Sequence, residues 1–300
     1  MRIPPWSTAL FTFWSFYFLT MKKIQSISIL FVLSFNVFGQ ESDSVFQHKK
    51  SLPYKVRHAE PLYVDLIRDL GAHKGEREWN VGFGMVDNLR YDKYIALVEY
   101  EWAPVDRLGL EVELPLTVYS AVGNGANAEK PSNRLESVKT AAQWTFLVSK
   151  KYQTSVALGY LNEVEFTDLN AINRSSIFNG NLFNPFLVAA KRWGDFHSLV
   201  YTGPQTHLDF NTRKWKTQYE WNTSFHYMIP GTRNFLGVEV NKMFFGGTYE
   251  MTIRPQMRVV IHDALMIGIV QGIPISKERE RLSSFLRLIY EPRHRKPAHR

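Results

Sequence analysis

From Trp79 onward, apolar side chains recur at every second position. Trp79, Val81, Phe83 and Met85 alternate with Asn80, Gly82 and Gly84, and Ala96, Val98, Tyr100 and Trp102 alternate with Leu97, Glu99 and Glu101. Leu108, Leu110, Val112, Leu114, Leu116 and Val118 are set against Gly109, Glu111, Glu113 and Thr117. The pattern returns at Ala142, Trp144, Phe146 and Val148, against Gln143, Thr145 and Ser149. It is longest where Thr217, Tyr219, Trp221, Thr223, Phe225 and Tyr227 alternate with Lys216, Gln218, Glu220, Asn222, Ser224 and His226. Tyr249, Met251, Ile253, Met257, Val259 and Ile261 close the set against Glu250, Thr252, Arg254, Gln256 and Arg258. Side chains along a strand point to opposite faces in turn, so each segment has one oily and one polar face. Less regular strands fit by spacing near 156–166, 181–192, 196–203, 235–245, 265–273 and 282–290.

That makes about twelve strands over 76–290, each of roughly the ten residues that a tilted transmembrane strand requires. Short connections are expected at Pro104–Arg107, Lys150–Gln153, Trp193–Asp195, Pro230–Asn234 and His262–Ala264. Longer ones lie between them, at Ser120–Ser137, Thr167–Gly180, Gly203–Lys214 and Ile275–Arg281, with short exceptions near Asp87–Asp92 and Gly246-Gly247. Alternating long and short connections on an even number of strands predict an all-β fold, a transmembrane antiparallel up-and-down β-barrel. Two aromatic belts fit this reading: Trp79, Trp102, Trp193, Tyr227 and Tyr290 at one end, and Tyr94, Tyr119, Trp215 and Tyr249 at the other.

The chain's first part divides differently. Met21-Lys22-Lys23, an uncharged run Ile24–Phe38 and then Gly39-Gln40-Glu41 have the cationic, apolar and small-residue parts of a secretory signal. Residues 1–40 are therefore read as an upstream extension and a signal peptide, with translation starting at Met21 and cleavage near Gly39 or Gln40. Residues 41–75 form a periplasmic or plug segment with one short N-terminal helix over His58–Gly71. Pro61 suits its first turn, Leu62, Leu66, Ile67 and Leu70 make an apolar stripe, and Gly71 suits the C-terminal cap. The glycines Gly82 and Gly84 are expected to leave room for such a plug. A basic tail, 291–300, ends the chain.

Composition narrows the chemistry. The 300 residues contain no Cys, which removes thiol nucleophiles, Cys-bound zinc and disulfides. The formal charge of +8 gathers at the two ends, at Arg2, Lys22 and Lys23 and at Arg293, Arg295, Lys296 and Arg300. A nearly neutral body argues against a nucleic-acid partner. The expected partners are outer-membrane lipid and a small-molecule solute. No cofactor or metal is expected: of His58, Glu60, Asp65 and Asp69, only the last two have helical spacing, and two carboxylates make a weak site.

Candidate lumen-lining residues follow from the polar rows. Glu99, Glu101, Glu111 and Glu113 come from two adjacent strands and face one side, where they would select cations or polar solutes. The bland alternative pairs them with Lys216, Arg254, Arg258 or Arg287, filling a narrow barrel with salt bridges; Glu220 shares that polar side. Ser224 and His226 share a face as a hydrolase pair would, but no G-x-S-x-G motif occurs. The leading function is passage of a small solute. The alternatives are a structural or partner-docking barrel with a charge-filled lumen and, behind it, an outer-membrane lipid hydrolase; no enzyme activity is expected.

The signal-like start, the segment His58–Leu70 and the run Glu78-Trp79-Asn80-Val81-Gly82 resemble uncharacterised outer-membrane barrels of Gram-negative bacteria. The stretch from Tyr100-Glu101-Trp102 to Gly109-Leu110-Glu111-Val112-Glu113-Leu114-Pro115 is similar to the outer-membrane family associated with meta-pathway phenol degradation. The resemblance spans about 58–290 and implies a barrel with a transport role.

Overall fold

The computed structural model describes residues 52–64, 66–121, 130–167, 177–275 and 280–292. The expected signal peptide and the four cations of the basic tail lie outside the described residues. Strands β1 (Arg77–Asn88), β2 (Tyr91–Val105) and β3 (Leu108–Ala121) are followed by β4 (Arg134–Leu135), β5 (Ser137–Ser149) and β6 (Thr154–Phe166). Then come β7 (Phe178–Trp193), β8 (Phe196–Asp209), β9 (Trp215–Met228) and β10 (Phe235–Phe245). The last are β11 (Thr248–His262), β12 (Leu265–Pro274) and β13 (Glu280–Tyr290).

Apart from β4 and β5, chain neighbours pair antiparallel, and β1 pairs with β2 on one side and β13 on the other. Register partners run from Trp79–Tyr290 to Asn88–Glu280, so the sheet closes on itself. Both β4 and β5 pair with β3, and only Glu136, whose amide meets the Pro115 carbonyl at 2.9 Å, separates them. Counted as one strand, they make a closed twelve-stranded antiparallel barrel. Turns at 106–107, 150–153, 194–195, 229–234 and 263–264 lie at one end, together with the start of β1 and the end of β13. That is the short-turn end of the barrel.

The wall is turned inside out relative to a water-soluble sandwich. Val98, Val112, Leu114, Leu116 and Val118 point outward and are exposed, whereas Glu99, Glu101, Glu111 and Glu113 are buried. Only a surrounding apolar medium makes such a distribution favourable, because an apolar belt of this extent in water would drive association.

Several expectations need correction. Tyr119 is buried, because Val118 faces out and its neighbour must face in; its hydroxyl meets Glu136 at 3.2 Å, so it belongs to no belt. A bulge between Thr145 and Leu147 breaks the alternation of β5, exposes Leu147 and sets Val148 against Gly71. The connection expected at Gly203–Lys214 is mostly strand, since β8 continues to Asp209.

The helix expected over His58–Gly71 does not form in the described residues, which show bends and a turn at Leu70-Gly71. This strap packs inside the barrel. Ala59 and Leu62 join a cluster with Leu97, Phe235, Met266, Val270, Phe285 and Ile289. Leu66, Ile67 and Leu70 join another, across the lumen, with Ala157, Phe186, Val188 and Leu199. A helix would hold those apolar residues on one face; the lumen demands two. The wall also takes the amides a helix would have bonded internally. Leu62 donates to Gln256 Oε1 at 2.8 Å, Val64 to Glu239 Oε1 at 3.0 Å, Arg68 to Glu101 Oε2 at 2.8 Å and Gly71 to Thr145 Oγ1 at 2.9 Å.

Glycine makes room for the strap at Gly109 and Gly268. A Cβ on Gly109 would strike the Ile67 carbonyl, and one on Gly268 would lie 2.7 Å from a Leu62 methyl. Gly82 and Gly84 instead accommodate the Phe285 ring.

An outward charge tests this arrangement. Leu114→Arg, near the middle of β3, is expected to lower folding stability in bilayers by about 2–4 kcal/mol, by analogy with charges placed at a barrel's midplane. The denaturation midpoint of the lipid-refolded protein measures it, and Thr212→Arg, in a turn, is expected to leave that midpoint in place.

Candidate functional site

The lumen wall carries two like-charge pairs. In the β2–β3 register Glu99 sits opposite Glu113, and Glu101 opposite Glu111. Like charges directly opposite destabilise a sheet unless cations or donors offset them. Lys139 approaches Glu113 at 2.7 Å and Arg287 approaches Glu99 at 3.6 Å. Asn80 bridges Glu99 and Glu101 through Nδ2, at 2.9 and 3.0 Å. Carboxylate oxygens of Glu99, Glu111 and Glu113 approach within 4.8 Å of one another, a geometry that would admit a cation, but Lys139 and Arg287 already supply positive charge there.

The strap supplies the remaining cation. Arg68 places Nη1 2.7 Å from Glu78 and 3.4 Å from Glu101, and Nη2 3.3 Å from both Asp69 and Glu291. Gln143 Nε2 holds the Arg68 carbonyl at 2.8 Å. The backbone at Arg68 has φ +70°, in the left-handed region, so local strain is accepted to aim this side chain. Next to it, Lys55 pairs with Asp69 and, at 2.8 Å, with Glu76. Burial works against the Lys55 ammonium, yet Asp69 and Glu76 outweigh it and raise its pKa. Burial would raise Asp69 too, but Lys55 and Arg68 hold it well below the carboxylate range.

The other sequence-predicted residues are spread around the wall. Glu220 accepts from Asn184 at 2.8 Å and Asn222 at 3.1 Å. Arg254 lies over the Tyr63 ring, 3.4 Å from its centroid, with Nε 2.7 Å from Asn241. Arg258 covers the Phe235 ring at 4.8 Å and bonds the Arg233 carbonyl at 3.2 Å. Lys216 is exposed at the end away from the short turns, 5.9 Å from the Phe245 ring. Of these four cations only Arg287 meets the glutamate row among the described residues. Ser224 and His226 are buried, but His226 Nε2 faces Gln256 Nε2 at 3.0 Å and Ser224 Oγ has no partner among the described residues. The two form no nucleophile–base contact. Glu60 hydrogen-bonds Asp69, and Asp65 lies outside the described residues.

Residues missed from sequence include Arg68, Lys139, Glu239, Gln256 and His197. Lys139 shares the parity of Gln143 and was legible; Arg68 was not, because a helical reading turns it toward solvent. His197 accepts from the Ala59 amide through Nδ1 at 2.6 Å, and His58 Nε2 lies 2.9 Å from Ser155 Oγ. Burial, with His197 and Arg192 nearby, pushes His58 down to about 4. Where strap and wall do not touch, a cavity of about 840 Å³ remains at the short-turn end.

A family described as HAEPLYID-like matches residues 54–291. The letters of that description match His58–Asp65 of the strap except at Val64. No curated protein matches the chain. Among solved structures, the COG4313 outer membrane channel from Pseudomonas putida F1 is similar over 75% of this chain and 98% of its own, with a TM-score of 0.56 and 11% identity. The KdgM porin in complex with disordered oligogalacturonate is similar over 72% of this chain and 99% of its own, with a TM-score of 0.50 and 15% identity. At these identities the likeness establishes the barrel fold. The meta-pathway likeness remains a resemblance.

Two measurements probe the strap. Arg68→Ala leaves Glu78 and Glu101 buried without their cation, at a cost of about 3–5 kcal/mol. Alanine shares arginine's reluctance at positive φ, so the loss reads the guanidinium. Amide exchange and proteolysis of residues 52–76 are expected to rise while strand protection persists. For His58, the folded pKa of about 4 lies below the unfolded 6.5. The unfolded form therefore binds the proton first, and docking stability, full above 6.5, falls as pH drops toward 4. Protection factors at Ala59 and Leu62 should follow that slope, and His58→Gln should make it shallower, leaving the part carried by His197, which takes the Ala59 amide.

Proposed function

The chain belongs to the HAEPLYID-like family, and we propose that it is an outer-membrane channel or transporter for a small solute, closed at rest by its own strap. One observation carries this reading: from Ala59 to Gly71 the lumen is occupied by a segment whose backbone is bonded to wall side chains, and backbone pairing with the wall begins only at Ala72–Glu76, where the strap runs into β1. Such a segment adds no strand to the sheet, so it can leave without breaking the barrel's hydrogen-bond ladder. The closed wall and its apolar exterior make the barrel competent to stay in a membrane when the strap moves. Under the same reading the short-turn end faces the periplasm, the export signal delivers the chain there, and lipid covers the outward rows.

With the strap displaced, Glu99, Glu101, Glu111, Glu113, Glu220, Arg254, Arg258 and Arg287 would line a polar path, with Lys216 at its far rim. Acidic and basic groups on facing walls suit a polar solute that is held at several weak sites in turn. The dense network around Arg68 favours a second reading, a structural or docking barrel with a permanently filled lumen. A hydrolase would need a Ser–His pair on the lipid-facing wall; Ser224 and His226 do not touch, and the His58–Ser155 contact lies inside the barrel, with Ser155 fully buried.

Planar-bilayer conductance separates the two. The full chain is expected to give small or intermittent currents, and deletion of residues 41–75 a steady, larger one. Absence of current in both would remove the channel reading and leave the filled barrel.

A further inference from the structure

The geometry points to an oxyanion-binding subsite in the short-turn cavity, formed by Arg192, Arg258 and the imidazole of His197, which takes the carboxylate or phosphate of a small solute. Register partners build it. Arg192 on β7 sits opposite His197 on β8, His197 opposite His226 on β9, and His226 opposite Gly237 on β10. Gly237 lies opposite Gln256 on β11, two residues before Arg258 on the same face. Gly237 is part of the construction, since a Cβ there would strike the His226 ring.

The chemistry follows from hydrogen-bond direction. The Ala59 amide donates to His197 Nδ1, so that nitrogen carries no proton and the neutral ring holds its proton on Nε2. His197 is 4% exposed, lines the cavity, and its Nε2 completes no hydrogen bond among the described residues; the nearby Gly194 carbonyl is taken by Arg192. A buried donor of this kind calls for an acceptor. Arg192 and Arg258, which also line the cavity, bond only the carbonyls of Gly194 and Arg233, and neither meets a carboxylate among the described residues. Both act electrostatically on His197.

The cavity's own acids do not neutralise them. Lys55 engages Asp69 and Glu76, and Arg68 and Arg233 engage Glu291. Glu60 hydrogen-bonds Asp69, and Asp195 and Asp263, which also line the cavity, are anions a ligand would have to avoid. A donor N–H that shares one cavity with two guanidiniums meeting no carboxylate among the described residues matches an oxyanion.

The inference adds a ligand class to the proposed channel and is tested without conduction, so either can fail alone. Calorimetric titration of the detergent-refolded full chain at pH 7.5 would use phosphate, acetate and the neutral isostere acetamide as probes. Saturable binding of either anion, absent for acetamide, is expected. Binding of phosphate alone assigns a phosphorylated solute, and of acetate alone a carboxylated one. Arg192→Gln plus Arg258→Gln should weaken it at least tenfold, while Arg213→Gln, in a turn at the far end, leaves it unchanged. Arg192→Gln alone, expected to weaken it severalfold, serves should the double variant fail to refold. No binding of either anion, equal binding of acetamide, or undiminished binding in the Arg192 and Arg258 variants overturns the subsite.

Discussion

Closure of the sheet sets the terms for everything inside it. Because β1 is already paired on both sides, the wall offers no free edge to a further segment. A chain in the lumen still carries backbone donors, and each one buried without a partner costs about 1–3 kcal/mol. Among the described residues a few strap amides find carbonyls, as Arg68 does at Leu66 and Ala72 at Asp69, and the others inside the lumen turn to wall side chains. That is why Glu101, Glu239, Gln256, Thr145 and His197 each receive a strap amide, and why the segment is neither helix nor strand. Its conformation is dictated by where those acceptors stand.

The same constraint explains how so many carboxylates can be buried. Glu99 and Glu101 face Glu113 and Glu111 across one strand pair, an arrangement that repulsion would penalise in isolation. Arg68 enters from the strap and Lys139 and Arg287 from neighbouring wall positions, while amide donors from Asn80 and the Arg68 backbone spread the remaining charge. Strap and acidic wall thus depend on each other. The wall bonds the strap's backbone, and the strap brings a cation the wall needs.

Legibility in the sequence tracks this division of labour. Outward rows were readable because hydrocarbon imposes one residue type at a strict period of two, as in Leu110 to Val118. The acidic row was readable for the same reason, as the other face of the same strands. The strap was not, because its partners are remote: Leu62 bonds Gln256 and Val64 bonds Glu239. Local rules saw Leu62, Leu66, Ile67 and Leu70 at helical spacing, while the lumen sends Leu62 to one side and the other three to the opposite side. Glycines misled similarly. Gly82 and Gly84 stood out as a pair, yet Gly109 and Gly268, isolated in the sequence, meet the strap. Tyr119 and Val148 show the limit of periodicity itself, since one residue's parity or one bulge reverses a side chain's face.

The strap's two halves are held by different physics, and that decides where the lumen opens first. From Val64 to Glu76 charged anchors dominate: Glu239 and Glu101 on the wall, Arg68 in ion pairs, and Asp69 and Glu76 paired with Lys55 from the start of the strap, beside neutral bonds to Thr145 and Gln143. Buried pairs of this kind are little screened by salt and leave an unpaired charge behind when broken, so this half resists release. From Ala59 to Leu62 the acceptors are neutral. His197 Nδ1 takes one amide, and Gln256 takes the other while its own amide donates to His226 Nε2. Both imidazoles hold the strap only through an unprotonated nitrogen. Whatever changes the protonation or ligation of that band of side chains acts on the weaker half of the strap, while the Arg68 network keeps the other half tethered inside the barrel.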